Sequence, residues 1–254
     1  MQSNGSTLME PNIRWGETRR LEIRYSGNLH GDVEQLPRLA TVVKREKEAF
    51  PDLLLVDTGN FSRGSHLNDS FQGRPSADVL GHLGYHAVGV GEDEVSWGLR
   101  GLIALTEVLK CPLLAANWRF PEREQLELTG RFASFVRVER QGMSVVVAGL
   151  GPLKAPPGVE VVPAHEAVQS VLDEVGPDGA VILISQLGYG EDRQLAARFD
   201  GLQVILEGVV YEGFTEVSQV KQTLIVPATA GAGSLGSLGL DLTGTLVIES
   251  QGEG

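Results

Sequence analysis

Apolar positions along this chain fall into two rhythms that take turns. In Leu21–Tyr25 they alternate with charged residues, the period-two pattern of a half-buried strand. Leu36, Leu39, Ala40, Val43 and Ala49 then recur at helical spacing within Gln35–Phe50, and Pro51 closes that helix. Leu53–Val56 is wholly apolar and runs into Asp57-Thr58-Gly59-Asn60, as expected of a buried parallel strand followed by a loop. Ser76–Leu83 reads as a helix with Ser76 as its N-cap, Ala87–Val90 as a strand, Leu99–Lys110 as a helix, and Leu113–Ala116 as a strand ending at Asn117.

The second half is richer in strands. Phe132–Val138 and Ser144–Leu150 flank Gln141-Gly142 and predict a hairpin. Helices are expected at Ala164–Val175 and Asp192–Phe199. Strands are expected at Val181–Ser185, Val204–Leu206, Val217–Val220 and Thr223–Val226, with a long final strand at Ser237–Glu249. No Pro/Ser/Gly-rich linker divides the chain, so one α/β domain is expected over residues 19–250, after a flexible lead of residues 1–18. Two mixed sheets packed together with helices outside, a four-layer α/β/β/α sandwich, bury these elements better than a single sheet.

Composition narrows the range of partners. The chain has 254 residues and a net charge of −12, which repels nucleic acid and anionic bilayers. Its basic clusters are short: Arg19-Arg20, and Lys44-Arg45-Glu46-Lys47, the latter a solvated helix face. No apolar run approaches the ~20 residues needed to span a membrane, and residues 1–18 carry no signal-peptide core. Cys111 is the single cysteine, which excludes an intrachain disulfide and a Cys-based zinc site, and it reads as a buried, inert thiol.

In open α/β sheets, ligands bind at the carboxyl ends of strands. The segments that follow the apolar strands are Ser26-Gly27-Asn28-Leu29-His30-Gly31, Asp57-Thr58-Gly59-Asn60, Gly91-Glu92-Asp93-Glu94-Val95-Ser96-Trp97-Gly98, Asn117, Ser185-Gln186-Leu187-Gly188 and Glu207-Gly208-Val209-Val210-Tyr211. Their order and flanks resemble the calcineurin-like metallophosphoesterases of the 5′-nucleotidase / 2′,3′-cyclic-nucleotide phosphodiesterase type, in the N-terminal domain. That family reads N-D-L-H-G, D-A-G-D-x-x-x-G-S, G-N-H-E-F-D-x-G, A-N, S-H-L-G and G-G-H-S-H. Leu29-His30-Gly31, Gly64-Ser65, Gly98-Leu99, Ala116-Asn117, Leu187-Gly188 and the closing Ala230-Gly231…Leu238-Gly239 carry the match. The resemblance covers roughly residues 21–248 and implies the metallophosphoesterase fold, without the C-terminal domain that clamps the nucleoside.

The departures bear on chemistry. Family members hold two metal ions with two Asp, one Asn and four His, and by position these fall on Asn28, His30, Asn60, Glu92, Gln186, Val209 and Tyr211. Only His30 keeps the family's residue. The position that bridges the metals is Asn60, a neutral amide, and the family's catalytic His and its partner Asp fall on Asp93 and Ser96. Transition metals need anionic or imidazole donors, and two close divalent ions need a bridging charge between them. Asn60 has no charge and Val209 has no donor atom. Amides at 28, 60 and 186 can instead hydrogen-bond to one another. Asp57, Glu94 and Asn117 are further pocket candidates.

Other features have plainer readings. His66, His82, His86 and His165 read as surface or helix residues. Glu92-Asp93-Glu94 lacks EF-hand spacing and reads as structural. Trp97, Tyr189 and Tyr211 are expected near one end of the sheet, as core filling or a stacking wall. Ala230–Gly236 is Gly-rich but lacks the Lys and helix of a phosphate loop.

The resemblance therefore implies a phosphoesterase homologue without catalysis, acting as a binding or scaffold module for a protein partner or small ligand. It implies an extracytoplasmic or periplasmic setting and no cofactor. Two alternatives stand beside this. One is a phosphoester or nucleotide hydrolase with a single divalent metal such as Mn or Zn, held by His30, Asn60, Glu92 and Gln186. The other is a sensor that uses the former pocket for a small ligand.

Overall fold

The computed structural model describes residues 20–122, 128–140, 143–176, 179–210, 216–229, 231, 233 and 235–241. Its first sheet contains β1 (Arg20–Ser26), β2 (Leu54–Asp57), β3 (Ala87–Gly89), β4 (Leu113–Leu114), β6 (Phe132–Ala133) and β14 (Gly236–Asp241), in the order β14-β1-β2-β3-β4-β6. All neighbours run parallel except β14, which pairs antiparallel with β1. The second sheet contains β7 (Phe135–Arg140), β8 (Met143–Leu150), β10 (Ala180–Ser185), β11 (Leu202–Glu207), β12 (Ser218–Val220) and β13 (Thr223–Val226), in the order β12-β13-β11-β10-β8-β7. Its four inner strands are parallel and both edges antiparallel. A small pair joins β5 (Trp118–Arg119) to β9 (Glu160–Val161).

Strand alternation sorts side chains between layers. Leu21, Ile23 and Tyr25 of β1 and Leu54 and Val56 of β2 face the second sheet, where they meet Val145 and Val147, Ile182 and Ile184, and Val204 and Leu206. Val146, Val181, Leu183 and Ile205 point the other way, onto α6 (Ala164–Val175) and α7 (Tyr189–Arg198). This is why β10 reads as an unbroken apolar run: both of its faces are covered. The outer face of the first sheet packs on α1 (Leu36–Ala49), α3 (Arg74–Leu83) and α5 (Gly98–Leu109) through Leu39, Val43, Leu80, Leu102 and Leu105. The result is the expected four-layer sandwich.

The expected elements recur with shifted ends, and three differences have physical reasons. Helix α3 begins at Arg74 with Gly73 as N-cap, because Ser76 is buried inside the helix and bonded to Asn68. Phe132 does not belong to the hairpin. It joins β4 in the first sheet, and the hairpin starts at Phe135. Two one-turn helices, α2 (His66–Ser70) and α4 (Glu92–Val95), are too short to leave a periodic signature. His86 is half-buried rather than a surface or helix residue, with the Arg140 guanidinium on its Nε2 at 2.5 Å. Cys111 is partly buried, and burial pushes its thiol up to about 12. Gln141-Gly142, Tyr211 and the strand beyond Asp241 lie outside the described residues. Among the described residues no helix is long and apolar enough to cross a membrane.

The sheets approach most closely at glycines. A Cβ on Gly89 would lie 2.7 Å from Ile184 Cγ2 and 2.7 Å from the Thr58 carbonyl oxygen, and one on Gly149 would lie 2.4 Å from Leu114 Cβ. Gly89→Ala is therefore expected to cost about 1–3 kcal/mol through overpacking, read as a lowered urea midpoint with an unchanged slope.

Candidate functional site

The loops that leave β1, β2, β3, β10 and β11 meet at one end of the sandwich. The first two run side by side. Asn28 N–H donates to the Gly59 carbonyl (2.9 Å), His30 N–H to that of Asn60 (2.9 Å), and Gly31 N–H to that of Phe61 (3.1 Å). This ladder requires left-handed backbone at Asn28 (φ 53°), His30 (φ 43°) and Asn60 (φ 58°). Asn tolerates that region; His is held in it at a cost, and such strain clusters at functional sites. Asp57 fixes the turn from below. It accepts Gly59 N–H at 2.8 Å and the Ser26 hydroxyl at 2.5 Å, and the Ser26 oxygen also meets the Tyr85 hydroxyl at 2.8 Å. Burial pushes the Asp57 carboxyl up to about 7, against the pull of those two hydrogen bonds.

The centre of the site is a cluster of amides. Asn60 Nδ2 donates toward Asn28 Oδ1 at 3.2 Å, Gln186 Oε1 at 3.3 Å and the Gly208 carbonyl at 3.3 Å. Asn60 Oδ1 accepts the Asp93 N–H at 3.3 Å. Gln186 Nε2 donates to the Thr58 carbonyl at 2.5 Å, and Asn28 Nδ2 to that of Thr229 at 3.2 Å. The pattern fixes which way the Asn60 amide faces, since turning it would set its oxygen against three acceptors and its nitrogen against an N–H. Asn28, Asn60 and Gln186 are 3%, 8% and 7% exposed, so little of the floor meets solvent.

Glu94 braces the rim. It is fully buried and accepts four backbone N–H bonds, from Asn60 (2.9 Å) and Gly91 (2.8 Å) on one oxygen and from Phe61 and Ser62 (both 3.0 Å) on the other. Burial and nearby Asp93 push its carboxyl up, and the bonds from Gly91, Asn60 and Ser62 pull it back. A proton on either oxygen would displace one of four donors, so the ionised form is the one that fits. His30 Nδ1 meets Asp93 Oδ2 at 3.0 Å on the open side, with the imidazole side chain 58% exposed and the carboxylate 18%. Ser96 bonds the Asp93 carbonyl (2.6 Å) and does not reach the imidazole pair.

The structure thus brings together Asn28, His30, Asn60, Asp93, Glu94 and Gln186, with Asp57 beneath them. Glu92 is exposed and Val209 half-buried at the rim, and Tyr211 lies outside the described residues. Asn117 is held elsewhere, pairing both ways with Gly151 (2.9 and 2.8 Å). Trp97 and Tyr189 do not share a wall. Trp97 packs in the first sheet's outer core and bonds Ser62, while Tyr189 packs in the second's and bonds Ser218. The Thr58 and Gly208 carbonyls, which complete the amide cluster, have no side-chain signature in sequence.

The donor set does not suit two divalent cations. A bridging ligand must present lone pairs to both ions, whereas Asn60 turns its N–H bonds inward onto three oxygens. Among the described residues no group of three or more His, Cys, Asp or Glu side chains converges.

Two facing mixed sheets with a site built from their strand-end loops define a protein of the calcineurin-like metallophosphoesterase fold. The structure aligns with a 5′-nucleotidase precursor from Thermus thermophilus at a TM-score of 0.77, with 22% identity, covering 90% of this chain and 53% of that one. A calcineurin-like phosphoesterase from Bacillus subtilis aligns at 0.67, with 17% identity, covering 91% and 88%. In sequence the chain is 26% identical over 202 residues to the probable 5′-nucleotidase of Treponema pallidum, covering 76% of this chain and 34% of that protein. It is 27% identical over 180 residues to the Bos taurus 5′-nucleotidase, covering 67% and 31%. The chain is a homologue of the 5′-nucleotidases and spans about a third of the length of these curated relatives. No family model matches it.

Asn60→Asp should destabilise the chain by about 1–3 kcal/mol at pH 7, because three buried acceptors lose their donor and face a charge. The loss should shrink as pH falls and the new acid gains a proton, a trend that urea denaturation across pH would show.

Proposed function

We propose that this chain is a phosphoesterase homologue that has exchanged metal-dependent catalysis for a role as a binding or scaffold module. The observation that carries this reading is the Asn60 carboxamide, which directs its hydrogens at Asn28, Gln186 and Gly208 where the family resemblance places a metal bridge. Hydrolysis of a phosphoester by metal ions needs a Lewis acid on the phosphoryl oxygen and an activated water. Amides satisfied by one another supply neither. The closed floor also favours a protein partner over a small ligand, because a ligand would have to break a satisfied buried network to reach it. The outer surface of the former site, with His30 and Asp93 on its open side, is left for contacts with that partner.

Elemental analysis of the purified chain after incubation with Mn²⁺ or Zn²⁺, together with turnover of nucleotide and phosphodiester substrates, tests this directly. The expected result is no stoichiometric metal and no metal-dependent turnover. Stoichiometric metal with turnover that His30→Ala abolishes would overturn the proposal and make the chain a hydrolase with an altered site.

A further inference from the structure

Behind the amide cluster lies a second polar group. Asp192, in the first turn of α7, and Glu207, the last residue of β11, are both completely buried. Asp192 Oδ1 accepts the Ser185 hydroxyl at 2.6 Å. Among the described residues, Asp192 Oδ2 and both oxygens of Glu207 have no hydrogen-bond donor. Glu207 is the register neighbour of Ser185, whose hydroxyl holds Asp192, so the two carboxyls stand on the same side of these adjoining strands and feel each other's charge.

Two ionised carboxylates in this setting would share one donor, the Ser185 hydroxyl, with no cation beside them among the described residues, a costly arrangement in a low-dielectric interior. Their surroundings offer no rescue. Arg193, the next residue on α7, lies over the Tyr189 ring. Glu191 adds a further negative charge. Beside Ser185 on β10 stands Leu150 of β8, and beside Leu206 of β11 stands Val226 of β13, none of them titratable. One proton resolves the conflict by turning the contact into an O–H···O⁻ bond, the stronger, charge-assisted kind. Such a proton belongs to the pair rather than to either residue.

We propose that Asp192 and Glu207 form a one-proton site, and that this shared proton fastens the end of β11 to the first turn of α7. The residue after Glu207 shows why this matters for the amide cluster. Gly208 N–H donates to the Ser185 carbonyl at 2.7 Å, and its own carbonyl is one of the three acceptors of Asn60. A Cβ on Gly208 would lie 2.0 Å from Gln186 Nε2, so there is no slack between β11 and the cluster. Losing the proton sets two like charges against each other at that joint. The inference is independent of whether the chain is an enzyme.

Burial, and the charge of its partner, push the Glu207 carboxyl up to about 9, and burial raises Asp192 in the same direction. The folded chain then holds more protons than the unfolded chain between the ordinary carboxylate range and that value. The stabilisation is full below the window and is lost as pH rises through it. Linkage sets the size: one extra bound proton lowers the folding constant about tenfold per pH unit. Urea denaturation of the wild-type chain and of Glu207→Gln, from about pH 5 to about pH 9.5, reads this difference. The glutamine keeps the shape and donates permanently, so the variant should gain on the wild type as pH rises. Parallel curves would overturn the proposal.

A second measurement needs no variant. Carbon-13 spectra of the wild-type chain at pH 8 should show an Asp or Glu carboxyl still in its protonated range. The Asn60 side-chain amide signals should shift with the same midpoint when that carboxyl titrates. A spectrum with every carboxyl ionised at pH 8, or Asn60 signals that ignore the titration, would sink the idea.

Discussion

The interface between the two sheets is almost wholly apolar, and this constraint orders everything else. Leu54, Val56, Ile182, Ile184, Val204 and Leu206 fill it, with Gly89 and Gly149 where a side chain would collide with the facing sheet. A polar group there must reach a partner at a strand end, as the Tyr25 hydroxyl reaches the Pro227 carbonyl. Polar groups from both sheets are therefore driven to the strand ends, where loops can bond to loops. Hydrogen bonds from Asn60 to Gln186 and to Gly208 cross from one sheet to the other at that rim. The site is thus a by-product of how the sandwich closes, and its location does not depend on what chemistry it performs.

What the rim does depends on how charge is handled. A ring of carboxylates and imidazoles is tolerable when cations sit at its centre, and repulsive when they do not. Amides remove that dependence, because each brings both a donor and an acceptor. Two of the buried carboxyls, Glu94 and Asp57, are compensated in different ways. Glu94 spreads its charge over four backbone N–H groups, and Asp57 leans on a hydroxyl and a turn N–H. Glu207 has neither kind of partner, and this sets it apart. These compensations come from backbone and neighbouring side chains, so the loop shapes themselves carry the charge balance.

Much of this was visible in the sequence, for a clear reason. Period-two and period-3.6 patterns report burial, and burial in this fold is regular. Leu21–Tyr25, Thr223–Val226 and Ala164–Val175 could be placed from that alone. Short elements could not. The helix at His66–Ser70 exists because buried Asn68 bonds to the Gly31 carbonyl and to Ser76, and that at Glu92–Val95 because Glu94 caps it while bracing a distant loop. Each also carries a local cap, Ser65 for the first and Glu94 for the second, but one turn is too short to show a period. Phe132 looked like hairpin because its apolar character suits either sheet, and only the pairing with Leu113 decides. At the site, strand-end topology collected Asn28, His30, Asn60 and Gln186 into one neighbourhood, but the Thr58 and Gly208 carbonyls are backbone atoms that any residue would supply. An acid closing the apolar strand Leu202–Glu207 was a readable signal of the second polar pair, and its partner six residues past Gln186 was not.

The amide cluster also has an evolutionary meaning. Its members are partners of one another, so the fitness of each residue is conditional on the rest. A route from this set to a charged one would pass through intermediates that hold one new carboxylate among old acceptors, or one orphaned amide among new charges. Each such step lies lower in stability than either end, and a marginally stable domain has little margin to lose. Neutral drift can lead into such a network more readily than out of it. Interlocked side chains of this kind behave as a ratchet, and they would hold a lineage to the neutral set it already carries.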